Sequence, residues 1–332
     1  MDLSNSTVNR IGNIIRRGEG DSDYVEAVKI LNTWREAHGG LLDDFYDKCV
    51  GLANEVEKNN ILVAQRLKRL PTIIGKLNRF ENMRLSSMQD IAGVRIIVDD
   101  MAQSKIIEEQ IKNWDNLVKI SDYIKKPKPS GYRGKHFIFK KDGMFVEIQL
   151  RTNLQHLWAT SVETTDIFRG ASLKERDDKT CWHDFFCQVS SIFALSENAE
   201  PVSEYKGLRL GELCGLLEEN MSKNHIDSQI TGFAMVEPIF TDSQVRNSYY
   251  VVISLDPIKK EATTIRYKES EYQQAFRDYE RLEQQNTPNR QTVLVAVNQV
   301  KRLREAYPNY FMSLGAFLDI ITFILAKNRK KR

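Results

Sequence analysis

Apolar positions change their period several times along the chain, and each change predicts a different kind of element. Residues 1–22 carry no sustained apolar stripe and are expected to be a loose N-terminus. Two amphipathic helices follow, and in the second Leu42, Phe45, Cys49, Leu52 and Val56 recur every three or four residues, the period of a buried helical stripe. From about 61 to 151 the runs shorten. Ile91–Val98 and Leu117–Ile120 read as strands, a polar helix near 101–113 separates them, and a hairpin follows. That alternation predicts a mixed sheet with crossover helices.

The helical period returns over 152–200, opened by Thr152-x-x-Gln155 and carrying the stripe Trp182, Phe185, Phe186, Val189, Ile192 and Phe193. A polar stretch with Pro201, Gly207, Gly211 and Gly215 then predicts a linker over 201–228. Residues 229–332 read as a smaller α/β unit: strand 249–255, a turn at Asp256-Pro257, strand 263–267, helix 270–285, strand 292–297 and terminal helices. The expected class is α+β, a helix-flanked mixed sheet within 23–200 followed by this C-terminal unit.

The hairpin fixes a register. Asp142-Gly143 between two alternating runs is a signal for a two-residue turn. Such a turn opposes Lys141 to Met144, and counting outward opposes Phe139 to Val146, Ile138 to Glu147 and His136 to Gln149. With a side-chain period of two, His136, Glu147 and Gln149 share one face, continued by Arg151, while Phe137, Phe139, Val146, Ile148 and Leu150 share the other. One face is core and the other is chemistry.

Composition adds little until it is resolved along the chain. The 332 residues hold 48 Lys and Arg against 45 Asp and Glu, so total charge demands no polyanionic partner. The cations are nevertheless clustered. Residues 65–84 carry Arg66, Lys68, Arg69, Lys76, Arg79 and Arg84 against Glu81 alone, and residues 123–136 carry Lys125, Lys126, Lys128, Arg133 and Lys135 with no acid. Pro71 suits a first helical turn, and a helix starting there places Thr72, Lys76 and Arg79 opposite Ile73, Leu77 and Phe80. Cations and helix-end N–H groups would converge there on a phosphate. Asp90 stands at the entry to the strand 91–98, whose Gly93 would permit a bulge or a close backbone approach. If that strand neighbours the hairpin, Asp90 and Glu147 can share one divalent ion, and the whole describes a phosphoryl-transfer site.

Four cysteines without Cys-x-x-Cys spacing predict neither zinc nor a disulfide scaffold, and no signal peptide is visible, so a cytoplasmic location is expected. Phe311–Ala326 is apolar but short of a spanning length and interrupted by Asp319. A packed terminal helix is the expectation, with no membrane partner.

Five ordered segments carry a family resemblance: Arg66-Leu67-Lys68; Thr72 to Lys76 with Arg79; Asp90-Ile91-Ala92-Gly93-Val94-Arg95; Lys126-Pro127-Lys128-Pro129-x-Gly131-Tyr132-Arg133-x-x-His136; and Glu147-Ile148-Gln149-Leu150-Arg151-Thr152. Over about 60–170 the chain resembles the synthetase domain of the RelA/SpoT family, the pyrophosphotransferases that make guanosine tetra- and pentaphosphate. The resemblance implies a nucleotidyltransferase-like mixed sheet on which ATP gives its β,γ-pyrophosphate to the 3′-hydroxyl of GDP or GTP. It implies that Arg66 and Arg95 sandwich the adenine, that Lys68, Thr72, Lys76 and Arg79 grip the donor phosphates, and that Asp90 and Glu147 hold Mg²⁺. Glu147 would also activate the acceptor hydroxyl, Tyr132 would stack on the acceptor base, and Lys128, His136, Gln149 and Arg151 would surround the acceptor.

The sequence also departs from the family pattern. Gly134 stands where many members have serine, and Glu163-Thr164 and Phe168-Arg169 replace the usual Glu-His and Tyr-Lys. These changes fall on the acceptor side, which keeps two alternatives open. One is a toxin-like relative acting on the tRNA 3′ CCA end or on adenosine nucleotides, in a phage-defence setting; the other is an inactive nucleotide-sensing module. The hydrolase half of bifunctional relatives is not expected before the synthetase motifs. His183-Asp184, the only His-Asp pair, reads as helix surface. Oligomeric state is not readable.

Overall fold

The computed structural model describes residues 4–56, 61–68, 70–170, 179–234, 249–256, 261–283, 291–296 and 314–329. They fall into two units, 1–123 with 134–153, and 124–133 with 154–332.

In the first unit, helices α1 (Asn5–Arg17), α2 (Tyr24–Glu36), α3 (Gly39–Val56), α4 (Leu70–Arg79) and α5 (Met101–Lys112) accompany strands β1 (Leu62–Leu67), β2 (Ala92–Val98), β3 (Leu117–Asp122), β4 (Lys135–Lys141) and β5 (Met144–Thr152). The sheet order is β1-β2-β5-β4-β3. Only β2 and β5 pair in parallel, which makes the sheet mixed, as expected. The hairpin has the predicted register, with Lys141 opposite Met144 and His136 opposite Gln149. Asp142 at φ 52 and Gly143 at φ 81 supply the two left-handed residues that such a turn requires. Val94, Ile96, Val98, Phe137, Phe139, Val146, Ile148 and Leu150 pack on Leu42, Phe45, Cys49 and Leu52 of α3 and on Ile107 and Ile111 of α5.

Three expectations for this unit change. Residues 5–17 are not loose: Val8, Ile11 and Ile15 of α1 pack with Ala27, Leu31, Trp34, Ile73, Leu77 and Ile91. Four apolar side chains at helical spacing suffice once tertiary partners cover them, although the intervening Asn and Arg residues hide the stripe. Phe80 does not join Ile73 and Leu77 in the core, because α4 ends at Arg79 and Phe80 is exposed. Gly93 forms no bulge; β2 keeps continuous register on both sides, and an added Cβ would meet Glu147 O at an ordinary 3.7 Å.

In the second unit, α6 (Asn153–Gly170), α7 (Lys179–Ser196), α8 (Leu210–Asn224), α9 (Ile226–Ala234), α10 (Tyr272–Glu283) and α11 (Leu314–Arg329) accompany an antiparallel sheet of order β7-β6-β8, formed by β6 (Tyr250–Asp256), β7 (Glu261–Tyr267) and β8 (Gln291–Ala296). The predicted linker is largely α8, whose Leu213, Cys214 and Leu217 are buried beside Phe185, Phe193 and Phe317. Its glycines sit in or before a helix whose buried stripe outweighs their cost. The C-terminal sheet is likewise no separate appendage, since Val251 and Ile253 join that same core while Val252, Tyr267 and Leu294 face Ala275 and Tyr279 of α10. Leu314, Phe317, Ile321 and Leu325 bury one side of α11, and among the described residues no helix is long and apolar enough to cross a membrane. Pro257, the rest of the predicted Asp256-Pro257 turn, and residues 297–313 lie outside the described residues.

Phe139 is fully buried where the hairpin meets α3, its ring 4.8 Å from that of Phe45. Phe139→Ala is expected to lower unfolding free energy by about 3–5 kcal/mol in urea titrations. A loss under about 1 kcal/mol would contradict this packing.

Candidate active site

The strand pairings place the polar face of the first unit. Arg66 opposes Gly93, Gly93 lies beside Glu147, Arg95 lies beside Gln149, and Gln149 opposes His136. Facing residues in a sheet share a side, so Arg66, Arg95, Glu147, Gln149, Arg151 and His136 project together, away from the apolar core. The glycine between Arg66 and Glu147 leaves that part of the face without a side chain. Arg66 is exposed and Arg95 is buried.

Glu147 is held from both sides. Its Oε1 lies 2.8 Å from His136 Nδ1, and its Oε2 accepts a 2.7 Å hydrogen bond from Gln149 Nε2. Gln149 Oε1 in turn accepts from Arg151 Nη2 at 3.0 Å. The ring of Tyr123 stands edge-on to His136, with centroids 5.2 Å apart. Burial pushes the Glu147 carboxyl up, but the hydrogen bond and charge of His136 and the bond from Gln149 outweigh it and hold it below its ordinary value. The charge of Asp90 works on Glu147 in the opposite sense, as the smallest of these effects.

Asp90 sits just before β2, where Lys68 Nζ donates to Oδ2 at 2.6 Å and Lys76 Nζ donates to Oδ1 at 2.9 Å. Burial again raises this carboxyl, and the two ammonium groups overcome the effect and keep it lowered. Lys68 follows β1 directly and is almost fully buried, and its carbonyl accepts from Arg35 Nε of α2 at 2.7 Å. Lys76 lies on α4, with Thr72 and Arg79 exposed on the same helix. The sequence reading missed this clamp. It assigned the lysines to phosphate and the aspartate to metal, while here they serve one another.

A divalent ion needs one or two carboxylates when phosphate oxygens complete its shell. Two ionised carboxylates, Glu147 feeling the charge of Asp90, fit that role, although among the described residues no cluster of three or more metal-binding side chains occurs. Both Asp90 oxygens carry an ammonium donor, so a cation there requires the lysines to find other anions.

The second basic block divides. Lys135 is buried and paired with Glu108 of α5, and Asp122 lies 3.9 Å away. Arg133, in the second unit, pairs with Glu197 at 2.9 Å and is also buried. Burial draws the Arg133 guanidinium down and Glu197 pushes it back. Neither cation is available as surface charge for a ligand, which corrects the reading of five cations around one polyanion. Lys125, Lys126 and Lys128 are exposed.

Tyr132 and Lys128 lie in the second unit. Lys128 Nζ stands 5.1 Å from the centroid of the half-buried Tyr132 ring, and Trp158 flanks that ring at 6.5 Å. Of the departures from the family pattern, Thr164 is buried and donates to Thr160 O of its own helix, and Glu163 is exposed. Arg69 and the side chains of Phe168 and Arg169 lie outside the described residues. His183 and Asp184 lie on α7, 3.7 Å apart and largely exposed, as expected of helix surface.

Comparison with known proteins follows the same segments. Residues 65–168 match the model of a region found in RelA/SpoT proteins. An uncharacterized protein of Mycobacterium tuberculosis is 29% identical over 200 residues, covering 59% of this chain and 71% of its own length. The GTP pyrophosphokinase YwaC of Bacillus subtilis is 33% identical over 111 residues, covering 29% of this chain and 52% of its own. Among solved structures, the small alarmone synthetase 1 of Bacillus subtilis bound to its product pppGpp aligns with a TM-score of 0.44 at 22% identity, over 51% of this chain and 94% of that one. The matched region runs from β1 into α6 and contains every residue of the polar face described above, and over that region the chain is similar to RelA/SpoT proteins.

Proposed function

We propose that this chain is an ATP-dependent pyrophosphokinase that transfers the β,γ-pyrophosphate of ATP to the 3′-hydroxyl of GDP or GTP. The observation that carries the reading is the ionised Glu147, fixed by His136 and Gln149 within electrostatic reach of Asp90 and its two lysines. A RelA/SpoT region and a relative named GTP pyrophosphokinase support it.

In this reading Arg66 and Arg95 hold the adenine between planar guanidinium groups. The donor phosphates draw Lys68 and Lys76 away from Asp90, joined by Thr72 and Arg79. Asp90 and Glu147 would then hold Mg²⁺, which supplies charge neutralisation on the pyrophosphate. Tyr132 would stack on the acceptor base, as the family resemblance implies, with Lys128 beside its ring. Glu147 takes the proton of the 3′-hydroxyl as that oxygen attacks the β-phosphorus, the bond to the α-phosphate bridging oxygen breaks, and AMP leaves. His136 and Gln149 keep the carboxylate aimed during the transfer.

The tRNA-directed alternative relies on the basic loop as a track for a nucleic-acid backbone. Two of its five cations are committed to Glu108 and Glu197, which favours a small nucleotide.

Incubation with ATP labelled on its β-phosphate should move label to GDP or GTP and not to tRNA, AMP or ADP. Label on tRNA alone would replace this reading by the toxin-like one, and label on no acceptor despite ATP binding would replace it by the sensor. Asp90→Asn should reduce transfer at least about a hundredfold in a protein that still folds by circular dichroism, and Glu147→Gln should lower kcat by about 10² to 10⁴ with ATP affinity retained. Near-normal turnover in either variant would refute its assigned role. Because both carboxyls are lowered in the folded state, the stability they contribute is complete above the unfolded carboxylate range and is lost as pH falls through the lowered values. The thermal midpoint is therefore expected to be level near neutrality and to drop below about pH 4. An Asp90→Asn protein should show a shallower drop, and an unchanged acid profile would contradict the clamp.

A further inference from the structure

The loop that carries Lys128 and Tyr132 is anchored by a helix that follows the family region. α7 begins at Lys179, beyond residue 168 where the family match ends. Ser190 Oγ of α7 donates to Gly131 O at 2.5 Å, and Cys187 Sγ, one turn earlier, lies 3.3 Å from Pro129 O. Just past the helix end, Glu197 Oε2 receives both Arg133 Nη1 at 2.9 Å and Gln155 Nε2 at 3.1 Å. Residues 129, 131 and 133 of the loop are thus tied to α7 or to the residue that directly follows it.

Close packing reinforces these bonds. Gly131 has φ 90, and a Cβ there would lie 2.9 Å from Trp158 Cζ2 and 3.3 Å from Ser190 Cβ, so the loop backbone sits directly on both side chains. Trp158 is itself fixed by donating from Nε1 to Phe186 O of α7 at 2.8 Å. The loop then closes on itself through Gly131 N to Lys128 O at 2.9 Å and Lys128 N to Tyr132 O at 3.1 Å. Arg133 is only 2% exposed, and its Nε and Nη2 have no hydrogen-bond partner among the described residues. An arginine buried with unmet donors is a poor stabiliser, since each unmet donor costs about 1–3 kcal/mol. Its Glu197 bond is better explained by the geometry it imposes on Tyr132, the next residue.

We infer that Ser190 and Glu197 are positioning residues for acceptor recognition: α7 presets the loop so that Tyr132 and Lys128 present one ordered surface to the acceptor base. Preorganisation of this kind lowers the ordering cost of binding. The inference rests on the proposed reading of Tyr132 and Lys128 as the acceptor-binding pair, and it makes acceptor selectivity depend on residues that the family region does not contain.

The test compares Ser190→Ala and Glu197→Gln with Ser191→Ala. Ser191 is an equally buried hydroxyl on the same helix that donates to Cys187 O and accepts from Val202 N. Hydrogen exchange at the amides of Lys128 and Gly131 is read in the full chain, together with steady-state kinetics for each substrate. Ser190→Ala and Glu197→Gln should speed exchange at those two amides at least about tenfold and raise KM for GDP or GTP at least about fivefold, with KM for ATP within twofold of the parent, while Ser191→Ala changes neither. Unaltered loop exchange, an equal rise in both KM values, or the same acceptor effect from Ser191→Ala would overturn the inference. If the unaltered protein transfers no pyrophosphate, the functional reading fails by itself, and the exchange comparison still decides whether α7 holds the loop.

Discussion

The parallel pairing of β2 with β5 is the constraint on which the site depends. It sets Gly93 beside Glu147 and Arg95 beside Gln149, and it brings Asp90, at the entry to β2, within electrostatic reach of Glu147. A slip of one residue would turn Glu147 and Gln149 into the apolar layer and expose Val146 and Ile148. That layer resists the slip, because Val94, Ile96, Ile148 and Leu150 are buried against α3 and α5. The tight turn at Asp142-Gly143 locks the other side of β5 and so delivers His136 to Glu147. Core packing and chemistry are two faces of one register.

Several charged groups among the described residues have specific partners. Lys68 and Lys76 hold Asp90, His136 holds Glu147, Lys135 pairs with Glu108, and Arg133 pairs with Glu197. The first of these pairings has a mechanistic sense. Two ammonium groups keep the aspartate ionised in a partly buried position, and in the proposed reading a triphosphate would draw them off and free the aspartate for a cation. The Lys135 and Arg133 pairs have a structural sense, since each buries a cation that its position along the chain suggested was a ligand contact.

Much of this was legible in the sequence wherever a local period carried the information. The α3 stripe, the short apolar run of β2 and the hairpin with its two-residue turn pointed to the apolar core of the sheet and the shared face of His136, Glu147 and Gln149 without tertiary knowledge. What was not legible depended on partners distant in the chain. Helix α1 is stabilised by contacts with residues near 73–91, and α8, with its glycines, by the aromatic core of α7 and α11, so weak local signals there suggested loose segments. Glu108 and Glu197 gave no sign of their partners, because nothing in the local spacing of an acid tells which distant cation will be buried against it. The ordered motifs nevertheless pointed to the same region that matches RelA/SpoT proteins, since their resemblance does not depend on local periodicity.

The most direct measurement is a crystal structure with a non-hydrolysable ATP analogue and Mn²⁺ in place of Mg²⁺, using anomalous scattering to locate the ion. The account predicts one Mn²⁺ coordinated by carboxylate oxygens of Asp90 and Glu147 and by analogue phosphate oxygens, with Lys68 and Lys76 moved from Asp90 onto those phosphates. An analogue bound elsewhere, with both lysines still on Asp90 and no manganese between the carboxylates, would contradict it.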